Sequence, residues 1–126
     1  EQGLADYFIS NIKNVEINFY LLVFVFAIIT VTLSNFMSNT AATTILIPVA
    51  ISLTSMIAGI DPETLPIIIG LSASCALMLP VSTPPNAIAF STGLIKQSEF
   101  RLGGFFVGLM GPVLIILWTL IIAFII

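Results

Sequence analysis

The chain has 126 residues, a formal charge of −3, 59% hydrophobic and 7% charged side chains, and a mean hydropathy of +1.21. About a quarter of the residues in a soluble domain are charged, so this composition places the chain in a lipid bilayer and excludes a soluble enzyme and a nucleic-acid binder, for which no basic patch is present. Histidine is absent, Cys75 is the single cysteine and no Asp or Glu lies inside an apolar stretch, which excludes an intrachain disulfide, a histidine metal centre and a general base for chemistry in the membrane.

Residues 1–15 place Leu4, Tyr7, Phe8 and Ile12 at mostly helical spacing among Gln2, Asp6, Ser10, Asn11 and Lys13, the pattern of an amphipathic arm lying in the membrane interface. From Ile17 to Ile60 there is no charged side chain, which is more than the roughly 20 residues that one span requires. That stretch is interrupted by Ser38-Asn39-Thr40, after which apolar character resumes from Ala41 to Ala58, with Pro48 inside it. Hydropathy alone accommodates two ordinary helices joined by an exposed loop. A tripeptide of Ser, Asn and Thr without charge, Gly or Pro is odd for a solvated turn and suits a helix cap, so a re-entrant hairpin over residues 16–58 with the break at its tip stands open beside the two-helix reading.

Gly59 to Glu63 carries an Asp-Pro turn signal. Leu65 to Leu79 is the next apolar run, followed by Ser82-Thr83-Pro84-Pro85-Asn86 and an apolar stub from Ile88 to Ile95. At 1.5 Å per residue the run reaches about 22 Å and the stub about 12 Å. Only together do they cross a hydrocarbon core of about 30 Å, so residues 64–95 are read as one discontinuous transmembrane helix. Residues 100–126 form a final transmembrane helix, in which Gly104 and Gly108 allow close packing and Pro112 introduces a bend. Ser72, Ser74, Thr30 and Thr32 are expected to bond to their own helix backbones. Lys96 and Arg101 lie at one end of the discontinuous helix and Asp61 and Glu63 at the other. The positive-inside tendency puts the Lys96 side in the cytoplasm and the hairpin opening and C-terminus outside.

Irregular backbone at membrane depth is tolerated only when buried in protein or lining a cavity. A helix that starts there offers unpaired N–H groups and a partial positive charge to an anion. Asn39 or Thr40 would present such an end at the first break, and Thr83 and Asn86 at the second. Carbonyl groups left free beside Pro84 and Pro85, with hydroxyls and the Asn39 amide oxygen, suit a hard cation such as sodium.

Ser38-Asn39-Thr40-Ala41-Ala42-Thr43-Thr44, together with Cys75 to Ile88 and Gly93-Leu94-Ile95-Lys96, resembles the signature segments of the divalent anion/sodium symporter family, the INDY-like dicarboxylate and citrate transporters. The resemblance covers residues 16 to 126 and implies the C-terminal part of an all-α, inverted-repeat transporter of the elevator type. It implies Ser38, Asn39, Thr40, Thr83 and Pro84 as residues beside the substrate carboxylate. Ser34 and Asn39 would be side-chain ligands of sodium, with Met37 and Ser82 offering backbone carbonyls. The implied function is secondary transport of small di- or tricarboxylates such as succinate, as sodium symport or as sodium-independent exchange. It would take place in a cell or inner membrane, by a multi-pass homodimer whose N-terminal repeat and scaffold lie outside this chain. No other cofactor is implied.

Overall fold

The computed structural model describes residues 18–126; the arm read over residues 1–15 lies outside the described residues. The described chain is helical: α1 Phe19–Phe36, α2 Asn39–Thr54, α3 Thr64–Ala73, α4 Pro84–Ser91 and α5 Gln97–Ile125. α1 and α5 are long and apolar enough to cross a membrane. The fold is thus that of an all-α membrane protein.

Each end has a local cause. The Asn18 side chain accepts a hydrogen bond from the Tyr20 N–H at 3.1 Å and starts α1. At Met37 the backbone becomes extended, with φ −137° and ψ 173°. Ser38 then caps α2 by accepting from the Ala41 N–H at 3.1 Å, so two residues suffice to reverse the chain and α1 and α2 pack together as a helical hairpin. α2 gives way to a turn in which Gly59 has φ +82°, a conformation that a residue without Cβ adopts freely. Asp61 then accepts from the Glu63 N–H at 3.0 Å and leads the chain into α3.

α3 is the central post of the molecule. It packs against α1, α2 and α5, and its Leu65, Ile68 and Ile69 are completely buried. They join Val23, Phe26 and Ala27 of α1 and Leu46 and Ala50 of α2 in one cluster. In lipid such a cluster holds by close van der Waals fit rather than by withdrawal from water. Cavities in it are costly for the same reason.

The helical part of the discontinuous segment is shorter than the apolar run. α3 stops at Ala73 and α4 begins at Pro84 and ends at Ser91, whereas hydropathy places the run at Leu65 to Leu79 and the stub at Ile88 to Ile95. Pro80 supplies a reason for the early stop, since its ring opposes the carbonyl four residues back and disfavours helical backbone at Leu79. The chain first tightens into short-range turns, Cys75 N–H to Ser72 C=O at 2.9 Å and Ala76 N–H to Ala73 C=O at 3.4 Å, and then runs irregularly to Thr83. The early start of α4 follows from Thr83 as cap and from prolines at the first two helical positions, where proline costs no hydrogen bond.

α5 lies against this irregular segment. Gly104, Gly108 and Pro112 are its buried residues. A Cβ on Gly104 would collide with the backbone of Leu77 and Met78, and one on Gly108 would stand 3.2 Å from Val31 Cγ1. The glycine stripe therefore packs on a non-helical stretch of chain as well as on α1.

Candidate functional site where two membrane breaks meet

The two polar breaks face each other. A cleft of about 440 Å³ is lined by Asn35, Met37 and Ser38 from the first break and by Val81, Ser82, Thr83 and Pro84 from the second, with Phe36 and Ala87 at its margins. Residues more than 40 positions apart thus share one cavity.

The two helix ends at the cleft offer different chemistry. Ser38, rather than Asn39 or Thr40, is the cap of α2. Asn39 and Thr40 occupy its first two helical positions, whose N–H groups have no partner within a helix. The Ala41 N–H is taken by Ser38 Oγ. At α4 the first two positions are prolines and bring no N–H, while the third, Asn86, gives its N–H to Thr83 Oγ1 at 3.4 Å. The second break therefore contributes side-chain donors, the Thr83 hydroxyl and the Asn86 amide, where backbone donors were expected. Both ends keep the positive sense of a helix start.

Several polar atoms are buried without a hydrogen-bond partner among the described residues: Ser34 Oγ, Asn39 Oδ1, Asn86 Nδ2 and Ser72 Oγ. Unpaired buried groups are rare because each forfeits about 1–3 kcal/mol of desolvation. Ser34 and Asn39 are the two side chains that the family resemblance implies for sodium, and both keep a free oxygen lone pair. Ser34 is 0% exposed. The carbonyls of Met37 and Ser82 accept no backbone hydrogen bond among the described residues. Ser34, Asn39, Thr40 and Asn86 are not among the residues that line the cleft; Ser34 is a buried residue of α1, and Thr40 is exposed, its carbonyl accepting from Thr44 Oγ1 at 2.7 Å. The donor set of hydroxyl, amide and carbonyl oxygen suits a hard cation.

Ser72 departs from its expected role. Thr30 and Thr32 bond back to Phe26 and Ile28 at 2.6 and 2.8 Å, but Ser72 Oγ has no partner among the described residues. Ser82 does more than offer a carbonyl. Its Oγ accepts from the Leu79 N–H at 3.1 Å and donates to the Leu79 carbonyl at 2.7 Å, closing the turn.

Asn35 is the residue that the sequence reading passed over. It is 6% exposed, and its Oδ1 accepts from the Met78 N–H at 3.0 Å, across 43 positions of chain. Its Nδ2 donates to the Val31 carbonyl at 2.9 Å. An amide within an otherwise apolar helix, four residues ahead of Asn39 and so on the same helical face had the helix continued, was the available signal.

The family model described as the sodium:sulfate symporter transmembrane region matches residues 1–125. The chain belongs to this family, the divalent anion/sodium symporters whose signature its two breaks resemble. It is 45% identical to an uncharacterised transporter of Haemophilus influenzae over 98 residues, 78% of this chain and 21% of that protein. It is 37% identical to a sodium-dependent dicarboxylate transporter of Staphylococcus saprophyticus over 118 residues, 93% of this chain and 22% of the relative. With the transporter of that name from Staphylococcus aureus it shares 42% identity over 80 residues, 64% of this chain and 15% of the other. The chain thus spans about a fifth of the length of the first two relatives. No solved structure matches it. The family and its named relatives are transporters rather than enzymes.

Proposed function

We propose that this chain supplies one face of the substrate site of a secondary active transporter for small dicarboxylates such as succinate, coupled to sodium, in a cell membrane. The observation that carries the reading is the meeting of two uncharged polar breaks in a single cleft, with Ser34 Oγ and Asn39 Oδ1 left unpartnered at the first of them. The names of the staphylococcal relatives point to the same substrate class and the same ion.

In this reading Ser38, Asn39 and Thr40 hold one carboxylate through the free N–H groups and hydroxyls at the start of α2. Thr83 contributes its hydroxyl from the second break, and Pro84 shapes the wall beside it. Sodium is taken by Ser34, Asn39 and the carbonyls of Met37 and Ser82. Without Arg or Lys among the cleft residues, the bound cation offsets the charge of the anion, which ties the two together. α1 and α2 act as a re-entrant hairpin, and further membrane segments complete the site and form a homodimer through their scaffold. α5 is held against the Leu77–Met78 backbone by Gly104, so it travels with the hairpin and the discontinuous segment when the unit moves as an elevator.

The test is counterflow in proteoliposomes of the complete transporter. Internal unlabelled succinate should accelerate uptake of labelled succinate, and only when sodium is present. Trans-stimulation that persists without sodium would show the exchanger of the same family. Ohmic flux without trans-stimulation would mean a channel, and no flux would leave the chain a structural subunit.

A further inference from the structure

The irregular stretch between α3 and α4 has backbone N–H groups that no helix satisfies, and in a membrane each must find a partner within the protein. Leu79 finds Ser82 Oγ, a bond local to the turn. Met78 finds Asn35 Oδ1, a bond from another element. Ser82 Oγ also lies 3.4 Å from Asn35 Oδ1, but its one proton goes to the Leu79 carbonyl at 2.7 Å. The Met78 bond is therefore the direct polar tie between the end of α1 and the second break.

The amide is well fixed. Nδ2 is held by the Val31 carbonyl one turn back, which sets the plane of the amide and points Oδ1 at Met78. Asn35 lines the polar cleft and also the neighbouring apolar cavity of about 320 Å³, whose walls include Val31, Met78, Phe105 and Gly108. Asn35 and its neighbour Phe36 are the residues common to the two linings. Gly104 of α5 lies so close to the Met78 backbone that it leaves no room for a Cβ, so the stretch around Met78 is confined by α5 as well as tied to Asn35.

We propose that Asn35 is a positioning residue: by fixing Met78 to the end of α1 it sets the gap between Ser38 and Thr83, and through that gap the affinity for the dicarboxylate. This rests on the function proposed above. Asn35 Oδ1 and one of its two N–H groups are engaged by the protein, and it acts on substrate through the spacing of the residues around it. Loosening one hydrogen bond to a charged group of the substrate costs about ten-fold or more in affinity. Translocation of the whole unit does not require the bond to break.

The test uses Asn35→Ser and Asn35→Leu in the complete transporter. A serine hydroxyl can still bond the Val31 carbonyl, as Thr30 bonds Phe26, but is too short to reach Met78. Asn35→Ser should raise the succinate KM about ten-fold or more while leaving the maximal rate within about two-fold. Amide hydrogen exchange at Met78 should quicken, with α5 unchanged; Asn35→Leu should do the same more strongly. Wild-type KM, or an unchanged Met78 exchange rate in Asn35→Ser, would overturn the proposal. Should the wild-type protein fail to move succinate at all, the dicarboxylate reading falls, and the exchange measurement still decides whether Asn35 fixes the second break.

Discussion

Asn39 has a buried side-chain carbonyl oxygen with no hydrogen-bond partner among the described residues, an arrangement that lowers stability unless a ligand uses it. Asn39→Ala removes an acceptor that was never paired, so folding loses no hydrogen bond. The thermal midpoint without sodium should stay level or rise, while the sodium concentration for half-maximal uptake should increase by about ten-fold, the equivalent of a bond to a charged group of about 1.5 kcal/mol. Sodium titrations of uptake and a melting curve check this; wild-type sodium dependence with a fallen midpoint would make Asn39 structural. Thr83 is the opposite case, since its Oγ1 is engaged by the Asn86 N–H. Thr83→Ala should loosen α4 by about 1 kcal/mol, seen as faster hydrogen exchange at Ala87 and Ile88, and Thr83→Ser should restore it. Equal exchange in all three proteins would remove the cap from the account. The residue types at both breaks were legible in the sequence because capping is local chemistry. The role of Asn35 was not, because its partner Met78 is distant in the chain and no pattern of spacing announces which backbone N–H its side chain accepts from.

At the scale of elements, the places where helix is interrupted could be read from the two polar clusters, but the helix ends could not. Thr83-Pro84-Pro85 starts α4 on its own terms, four residues before the apolar stub. The unwinding after Ala73 responds to Pro80 and accommodates α5, whose Gly104 comes up to Leu77 and Met78. Neighbouring glycines on α5 give a controlled comparison. A Cβ at Gly103 meets nothing within 4 Å, whereas at Gly104 it meets backbone that cannot step aside, and at Gly111 it would stand 2.5 Å from Cys75 Sγ. Gly103→Ala should therefore leave the melting temperature and transport unchanged or slightly improved. Gly104→Ala should destabilise by about 1–3 kcal/mol, the range typical of overpacking. Gly111→Ala should be harmful alone and less so with Cys75→Ala, because the sulfur is the nearer of its two obstacles. Detergent-solubilised melting curves of the four variants are the check; equal behaviour of Gly103→Ala and Gly104→Ala would mean that α5 does not pack as described.

For the whole molecule, α3 joins the hairpin to α5 through one buried cluster, and the proposed function has this assembly move as a body. Spin labels at Ser55 and Ser74, both exposed, should keep their separation whether the transporter is loaded with succinate or held by an inhibitor. The distance from Ser55 to a fixed segment outside this chain should shift by several ångströms. If the internal pair changes as much as the external one, the hairpin is a local gate and elevator motion is wrong.

All of this depends on the two breaks serving one ligand, and that can be measured without altering any residue assigned to bind it. Phe36 and Val81 line the cleft from opposite breaks, and both are exposed. In a Cys75→Ala background, Phe36→Cys and Val81→Cys can each be labelled with a small maleimide and the rates compared with and without ligand. A shared site predicts that succinate with sodium slows labelling at both positions, and that succinate with choline in place of sodium slows neither. Protection at only one of the two, or at neither while transport persists, would contradict the shared site.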